Sequence, residues 1–421
     1  MALDLTRDMV IRWEAPEPSH AALLRQAGVK AVLPSSANAA FSEACASVGI
    51  AVIAPGEIEF RKLSELSAPG AQVALAQGLW PGIRRPPAVE GRGDETASAS
   101  REPWVDSNGS WIAYLRALYP ERAPVLGYLP DGLGDRIVPY DTLELALVEA
   151  WSAGGNYVLA VEQTFREALL RKDPKALSAW EQLGRTARWL GENQALFRQA
   201  ALPIVTALVE PGAATGEIVN LLYRRNVSPS VISAESLGPP DPRRVLALVA
   251  ANLRQPEPAV ASRILAHARA GTTVIAAAPA SRRWWRSAPL RSTRTEEDRD
   301  VYALGRGQVV AYRGAIADPS EFALDVIDLI GHKERAVRLW NAPAVIALAT
   351  DAPRAGGRLV HLVNYGSPID QEIQVRVQGH FNRATLLRPD GSPLSLETAR
   401  RGSTTEVFVP ELTRLGVLTF Q

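Results

Sequence analysis

The sequence predicts an α/β fold in three consecutive units, and three shifts of pattern along the chain carry that reading. Over the first 200 residues, short apolar runs alternate with helix-period runs, as successive βα units of a parallel sheet require. A second alternation of the same kind starts near Leu202. From about Pro343 the apolar period becomes two and helical patterns stop. The predicted units are 1–201, a short or incomplete βα TIM-like barrel; 202–342, a flavodoxin-like α/β unit; and 343–421, an antiparallel β-sandwich.

In the first unit, strands are predicted at Met9–Glu14, Val29–Pro34, Ile50–Pro55, Gln72–Gln77, Pro124–Leu129 and Tyr157–Val161. Helices are predicted at Ser19–Ala27, Asn38–Val48, Ser110–Tyr119 and Thr142–Ser152, with a long helical region over Pro174–Ala200. Glycines punctuate these runs: Gly28, Gly49 and the pair Gly154-Gly155 stand where a helix closes through a left-handed residue. Tyr157–Val161 is almost wholly apolar and reads as a strand buried on both faces, ending on Glu162. Six strands fall short of the eight of a full barrel, hence the shortened form. Pro81–Pro103 is rich in Gly, Pro and charge and exceeds the ~15 residues that structureless loops usually reach, so it reads as a lid over a pocket.

In the second unit, strands are predicted at Ile204–Val209, Pro229–Ser233, Arg243–Val249, Thr272–Ala278 and Gly307–Arg313, with helices at Thr215–Arg225, Ala259–Ala270 and Ser320–Ile330. Within it, Ser281–Asp300 sets several arginines around Trp284-Trp285, but Glu296, Glu297, Asp298 and Asp300 cancel their charge. An exposed loop or subunit contact is expected there rather than a nucleic-acid surface. Strands of the third unit are predicted at Val345–Ala349, Arg358–Asn364, Glu372–Val377, Ala384–Leu387, Glu406–Pro410 and Gly416–Phe420, with Pro389-Asp390-Gly391 as a turn.

Composition narrows the partners. A net charge of +1 gives no reason to expect nucleic acid or an anionic membrane surface. No run approaches the ~18 apolar residues that span a bilayer. The first residues do not read as a signal peptide, and the compartment is left open. Cys45 is the only cysteine, so neither an intrachain disulfide nor a thiolate cluster is available, and its Ala-rich surroundings suggest a small core residue. The five histidines lack zinc-ligand spacing, and no nucleophile elbow, dinucleotide fingerprint or P-loop occurs. No metal or cofactor is expected.

Carboxylates and aromatics remain as carriers of chemistry. In a βα-barrel the C-terminal strand ends face the active site, which makes Glu162 a candidate catalytic group. Its structural alternative is a helix cap or an ion pair with an arginine. Asp131, after the Pro124–Leu129 strand, and Asp106, between Trp104 and Asn108, are candidates for a second, acidic partner. Glu14 and Glu57 follow the first and third strands. Trp13, Trp80 and Trp104 stand at strand ends or on the long loop, where a ring could stack on the C–H face of a sugar, and Asn108 adds an amide. For each of these carboxylates alone a salt bridge or helix cap outweighs catalysis, whereas the strand-end aromatics favour a carbohydrate pocket over packing alone.

Two short motifs carry a resemblance. Leu304-Gly305-Arg306-Gly307-Gln308-Val309-Val310 and His361-Leu362-Val363-Asn364-Tyr365-Gly366, with the order of the three units, resemble the second and third domains of family 42 glycoside hydrolases. That resemblance implies a β-galactosidase-like activity on a carbohydrate substrate through two carboxylates, and a homo-oligomer, a trimer by analogy. In that family the general acid follows an Asn; here the corresponding strand end reads Ala76-Gln77-Gly78-Leu79-Trp80. Two functions are therefore expected: a glycoside hydrolase using Glu162 as nucleophile or base with Asp131 or Asp106 as acid, or a non-catalytic carbohydrate-binding or assembly protein on the same scaffold.

Overall fold

A computed structural model describes residues 3–58, 60–62, 73–83, 105–128, 138–277, 283–314, 316, 319–353 and 356–421. The chain begins with β1 (Val10–Trp13), α1 (His20–Gln26), β2 (Ala31–Pro34), α2 (Ala39–Ser47), β3 (Ala51–Val52) and β4 (Val73–Gln77). There follow β5 (Gly82–Ile83), β6 (Val105–Asp106), α3 (Gly109–Leu118), β7 (Ala123–Gly127), α4 (Thr142–Ser152), β8 (Asn156–Ala160), α5 (Gln163–Leu170) and α6 (Pro174–Glu192). The first sheet has six strands in the order β3-β2-β1-β8-β7-β4. Every pair in it is parallel. Within each of the runs β1-β2-β3 and β4-β7-β8 a strand lies beside its predecessor, and β8 returns to β1; among the described residues the sheet is open between β3 and β4.

The glycine pair does what its chemistry allows. Gly154 stands at φ +86 just after α4, a conformation that disfavours a Cβ. A Cβ on Gly155 would come within 2.7 Å of the Pro124 carbonyl, so β7 and β8 approach closely only with glycine there. All five residues of β8 are buried, as the apolar run predicts. The helical run after it is broken: α6 stops at Glu192, and a single 3-10 turn, Gln194–Leu196, leads out of it.

The second sheet draws on β9 (Val205–Val209), α7 (Ala213–Arg224), β10 (Ser230–Ser233), β11 (Ala247–Ala251), α8 (Pro258–Ala270) and β12 (Thr273–Ala277). It is completed by β13 (Arg291–Thr295), β14 (Arg299–Leu304), β15 (Gly307–Tyr312) and the helix α9 (Pro319–Ile330). The order is β10-β9-β11-β12-β15-β14-β13. The first five are parallel and the last two form an antiparallel hairpin. The arginine-rich segment expected as an exposed loop is thus partly this hairpin, with all five residues of β13 exposed. Trp284 and Trp285 are buried beneath it, because paired apolar rings gain more from the core than from solvent.

The remainder is antiparallel: β16 (Val337–Trp340), β17 (Val345–Asp351), β18 (Arg358–Asn364), β19 (Ile373–Gln378), β20 (Ala384–Arg388), β21 (Gly391–Leu396), β22 (Ala399–Arg401), β23 (Thr404–Val409) and β24 (Leu415–Phe420). They form two sheets, β17-β18-β24-β20-β21 and β16-β19-β23-β22. Alternation along β19 points Ile373, Val375 and Val377 inward, where they share one core with Val360, Leu362 and Leu418 of the facing sheet. A larger core runs continuously from Ile11 and Trp13 through Val219 and Ile346 to Val417, so the three blocks are packed together.

Candidate functional site

The two faces of the first sheet separate its chemistry. Val10, Ala31, Val125 and Val158 form a small apolar cluster on one face, with Phe60 packed against it. Ile11, Trp13, Leu159 and Val161 lie on the other, among the helices. Because side chains alternate along a strand, Arg12 and Glu14 fall on the Val10 face, and Ala160 and Glu162 on the Val158 face, which is the same face. The β1–β8 register pairs Val10 with Val158 and Arg12 with Ala160; Glu14 and Glu162 each come two residues later in the chain, beyond the strand ends. The Val161 amide donates to the Arg12 carbonyl at 3.5 Å, so the pairing persists to that point. Both glutamates therefore follow the C-terminal ends of two adjacent parallel strands. Beside them Nη1 of Arg12 is buried with no hydrogen-bond partner among the described residues.

Glu162 also serves the helix that follows. As N-cap of α5 its carboxylate accepts from the Phe165 amide at 3.2 Å and from the Thr164 hydroxyl at 3.1 Å. This satisfies one of the amides that every helix start leaves open. Trp80, after β4, packs at 4.5 Å against Tyr128, after β7, and its indole nitrogen is buried with no hydrogen-bond partner among the described residues.

The other expected residues are placed elsewhere. Trp13 is 0% exposed; its indole donates to Nδ1 of His20 at 3.1 Å and its ring lies 6.2 Å from Trp180. It presents no face to a ligand, since the period of two that sends Arg12 and Glu14 one way sends Trp13 into the helix layer. Glu57 is exposed and accepts from the Ala54 amide of its own turn at 3.1 Å. Asp106 pairs at 3.5 Å with Arg224 of α7, with both side chains largely buried, so it ties the first block to the second. Asn108 is buried: its side chain accepts from the Leu79 amide at 2.6 Å and donates to the Leu79 carbonyl at 3.0 Å, fixing the backbone after β4. Asp131, Trp104 and most of the predicted lid lie outside the described residues. Glu162 and Asp106 are thus engaged by different elements, whereas Glu162 and Glu14 follow the ends of two paired strands.

A second acidic centre was not anticipated. Glu149 of α4 is buried and its carboxylate accepts from the Asn108 amide, while Oε2 has no hydrogen-bond partner among the described residues. Tyr365, whose hydroxyl donates to Ser107 at 3.2 Å, lies beside it. Burial pushes the Glu149 carboxyl up to about 8, outweighing its bonds to Tyr365 and Asn108. Tyr157 and Tyr365 are in turn raised well above the usual tyrosine range, by burial first and by the Glu149 charge second. The available signal was local: α4 reads Leu-Glu-Leu-Ala-Leu-Val-Glu-Ala-Trp, and a helix apolar nearly all round is a buried helix. Among the described residues, no group of three or more His, Cys, Asp or Glu could hold a metal ion. No described helix is long and apolar enough to cross a membrane.

No protein-family model and no curated protein matches this sequence. Among solved structures, the fold is similar to that of alpha-L-fucosidase isoenzyme 2 from Paenibacillus thiaminolyticus, with a TM-score of 0.56 at 10% identity. The match covers 95% of this chain and 79% of the fucosidase. A β-galactosidase from Bacillus circulans sp. alkalophilus matches 67% of the chain at 11% identity with a TM-score of 0.46, and the matched region spans about half of that enzyme, 52%. A β-galactosidase from Rahnella sp. R3 matches 89% of the chain and 66% of its own at 12% identity, with a TM-score of 0.47. What is shared is the fold: a mixed α/β architecture with a parallel sheet and several antiparallel ones.

Proposed function

We propose that this protein is a glycoside hydrolase built on a shortened βα-barrel, followed by a flavodoxin-like unit (202–342) and a β-sandwich (343–421). The observation that supports the reading is the parallel pairing of β1 and β8, whose C-terminal ends are followed by Glu14 and Glu162. Side chains from neighbouring strand ends suit the ~5–5.5 Å carboxyl separation of a retaining pair, and a retaining mechanism is the one proposed. Glu162 then acts as nucleophile, and Glu14 takes the acid role that the sequence alone assigned to Asp131 or Asp106. Arg12, with a buried guanidinium nitrogen that has no hydrogen-bond partner among the described residues, bonds a sugar hydroxyl. Trp80 supplies a ring edge and an indole N–H at the rim. The fold shared with a fucosidase supports a pyranoside substrate.

A panel of aryl glycosides, fucosides and galactosides first, tests the reading directly. Release of the aryl group by the wild-type protein is expected. One observation favours the second reading, a carbohydrate-binding protein without turnover: both Glu162 oxygens already bond the first turn of α5. That reading predicts saturable glycan binding with no hydrolysis on any member of the panel. For assembly we propose a homo-oligomer, a trimer by analogy, joined through the unpaired edge of β13, whose five exposed residues leave main-chain groups open. A monomeric mass by light scattering would count against it.

A further inference from the structure

At the opposite edge of the first sheet, near the N-terminal ends of β7 and β10, lies a cavity of about 470 Å³ between the first two blocks. Arg116, Arg122, Arg198, Tyr223 and Ser230 contribute to its lining, against the single carboxylate of Glu121 at the rim. We propose that this cavity is a binding site for a small phosphorylated molecule, whose phosphoryl group is held by Arg116 and Arg198.

Four features of the geometry support the assignment. Among the described residues, both guanidiniums hydrogen-bond only to main-chain carbonyls: Arg116 donates to Ala153 at 3.0 Å and to Arg198 at 3.3 Å, and Arg198 donates to Thr6. Neither is ion-paired with a carboxylate among the described residues, and the charge of Asp4 acts on Arg198 only at longer range. The nearby Asp4 is occupied by Arg7 at 2.6 Å and by the Thr6 hydroxyl at 2.6 Å. Second, the backbone is shaped around the pair. Gly154 leaves the space in which the Arg116 guanidinium lies, and a Cβ there would collide with it. Third, Arg198 itself stands at φ +68, a conformation costly for any residue with a Cβ and therefore one that the surroundings enforce. Fourth, the volume falls in the ~300–1,000 Å³ range of small-molecule sites and exceeds what phosphate alone fills. Burial presses the Arg116 guanidinium toward losing its proton, a penalty that a bound dianion removes. Arginine's forked donors suit a phosphoryl group in particular.

Thermal unfolding of the full chain, at constant ionic strength, reads the binding without reference to hydrolysis. Glucose 6-phosphate and inorganic phosphate are titrated, with glucose and chloride as controls. The expected result is a saturable rise in the unfolding midpoint with glucose 6-phosphate, a weaker one with phosphate, and none with glucose or chloride. If phosphate equals glucose 6-phosphate, the free anion is the ligand and the phosphorylated-molecule proposal is overturned. Arg116→Gln and Arg198→Gln are each expected to weaken the apparent affinity tenfold or more. Should either variant fail to fold, phenylglyoxal modification of the wild-type protein mapped by mass spectrometry replaces it, with Arg116 and Arg198 protected by glucose 6-phosphate. A response that never saturates, one that survives both substitutions, or unprotected arginines would overturn the proposal.

Discussion

Glu149→Gln isolates the energetic consequence of burying a carboxyl between the first and third blocks. In the folded chain this group keeps its proton up to a pH of about 8, against 4.5 for the same group in an unfolded chain. Folding therefore binds a proton in the window between those values, so stability contributed by the neutral acid is complete below 4.5 and is lost as pH rises toward 8. One pH unit corresponds to ~1.4 kcal/mol, so between pH 5 and pH 7 the wild-type chain loses about 3 kcal/mol from this group. Glutamine is isosteric, stays neutral and can still accept from the Asn108 amide, so the variant lacks that slope. Urea unfolding of both proteins at several pH values, followed by tryptophan fluorescence, measures it. The variant is expected to gain steadily on the wild type as pH rises, by about 3 kcal/mol over this interval. Parallel pH profiles for the two proteins would refute the reasoning, because Glu149 would then titrate alike in both states.

His361 gives the opposite slope. Its Nε2 faces the Leu196 carbonyl at 3.0 Å, and burial pushes its pKa down to about 4 from 6.5, so the unfolded chain binds the proton and stability falls as pH drops through that window. His361→Asn is expected to flatten the acid limb between pH 6 and pH 4.5 by about 2 kcal/mol in the same unfolding assay, at some general loss of packing. Gly154→Ala puts a Cβ into a positive-φ position and against the Arg116 guanidinium, and a loss of roughly 1–3 kcal/mol is expected by chemical denaturation. Glu162→Ala removes the cap of α5 and is expected to lower stability by about 1 kcal/mol, while Glu162→Asp, which can still cap, restores most of it.

How far the sequence could be read depended on how local the determinants are. The strand β8 and the closure of α4 were legible because an apolar run and a glycine pair announce themselves within a few residues. The strand β21 was not, since Gly391-Ser392-Pro393-Leu394-Ser395 is exposed and has the composition of a turn. Asp106 and Asn108 read as pocket residues because their partners are distant in the chain: Arg224 lies 118 residues from Asp106, and Leu79 lies 29 from Asn108. Trp13 was a matter of facing rather than position, and the polar residues on either side of it already assigned it to the other face of the strand. Glu149 was missed because a glutamate in a helix ordinarily faces water, and only tertiary packing buries this one. The proposed opposition of Glu14 and Glu162 was equally hidden, since it depends on β8 returning to β1 across more than half of the first block.

The central claim rests on that opposition, and the most direct test compares turnover of an aryl glycoside by the wild-type chain, Glu162→Gln and Glu14→Gln, with circular dichroism confirming that each is folded. The account predicts that both substitutions lower kcat by on the order of 10³-fold or more while leaving the spectra unchanged. Wild-type turnover that persists undiminished in both variants would contradict it.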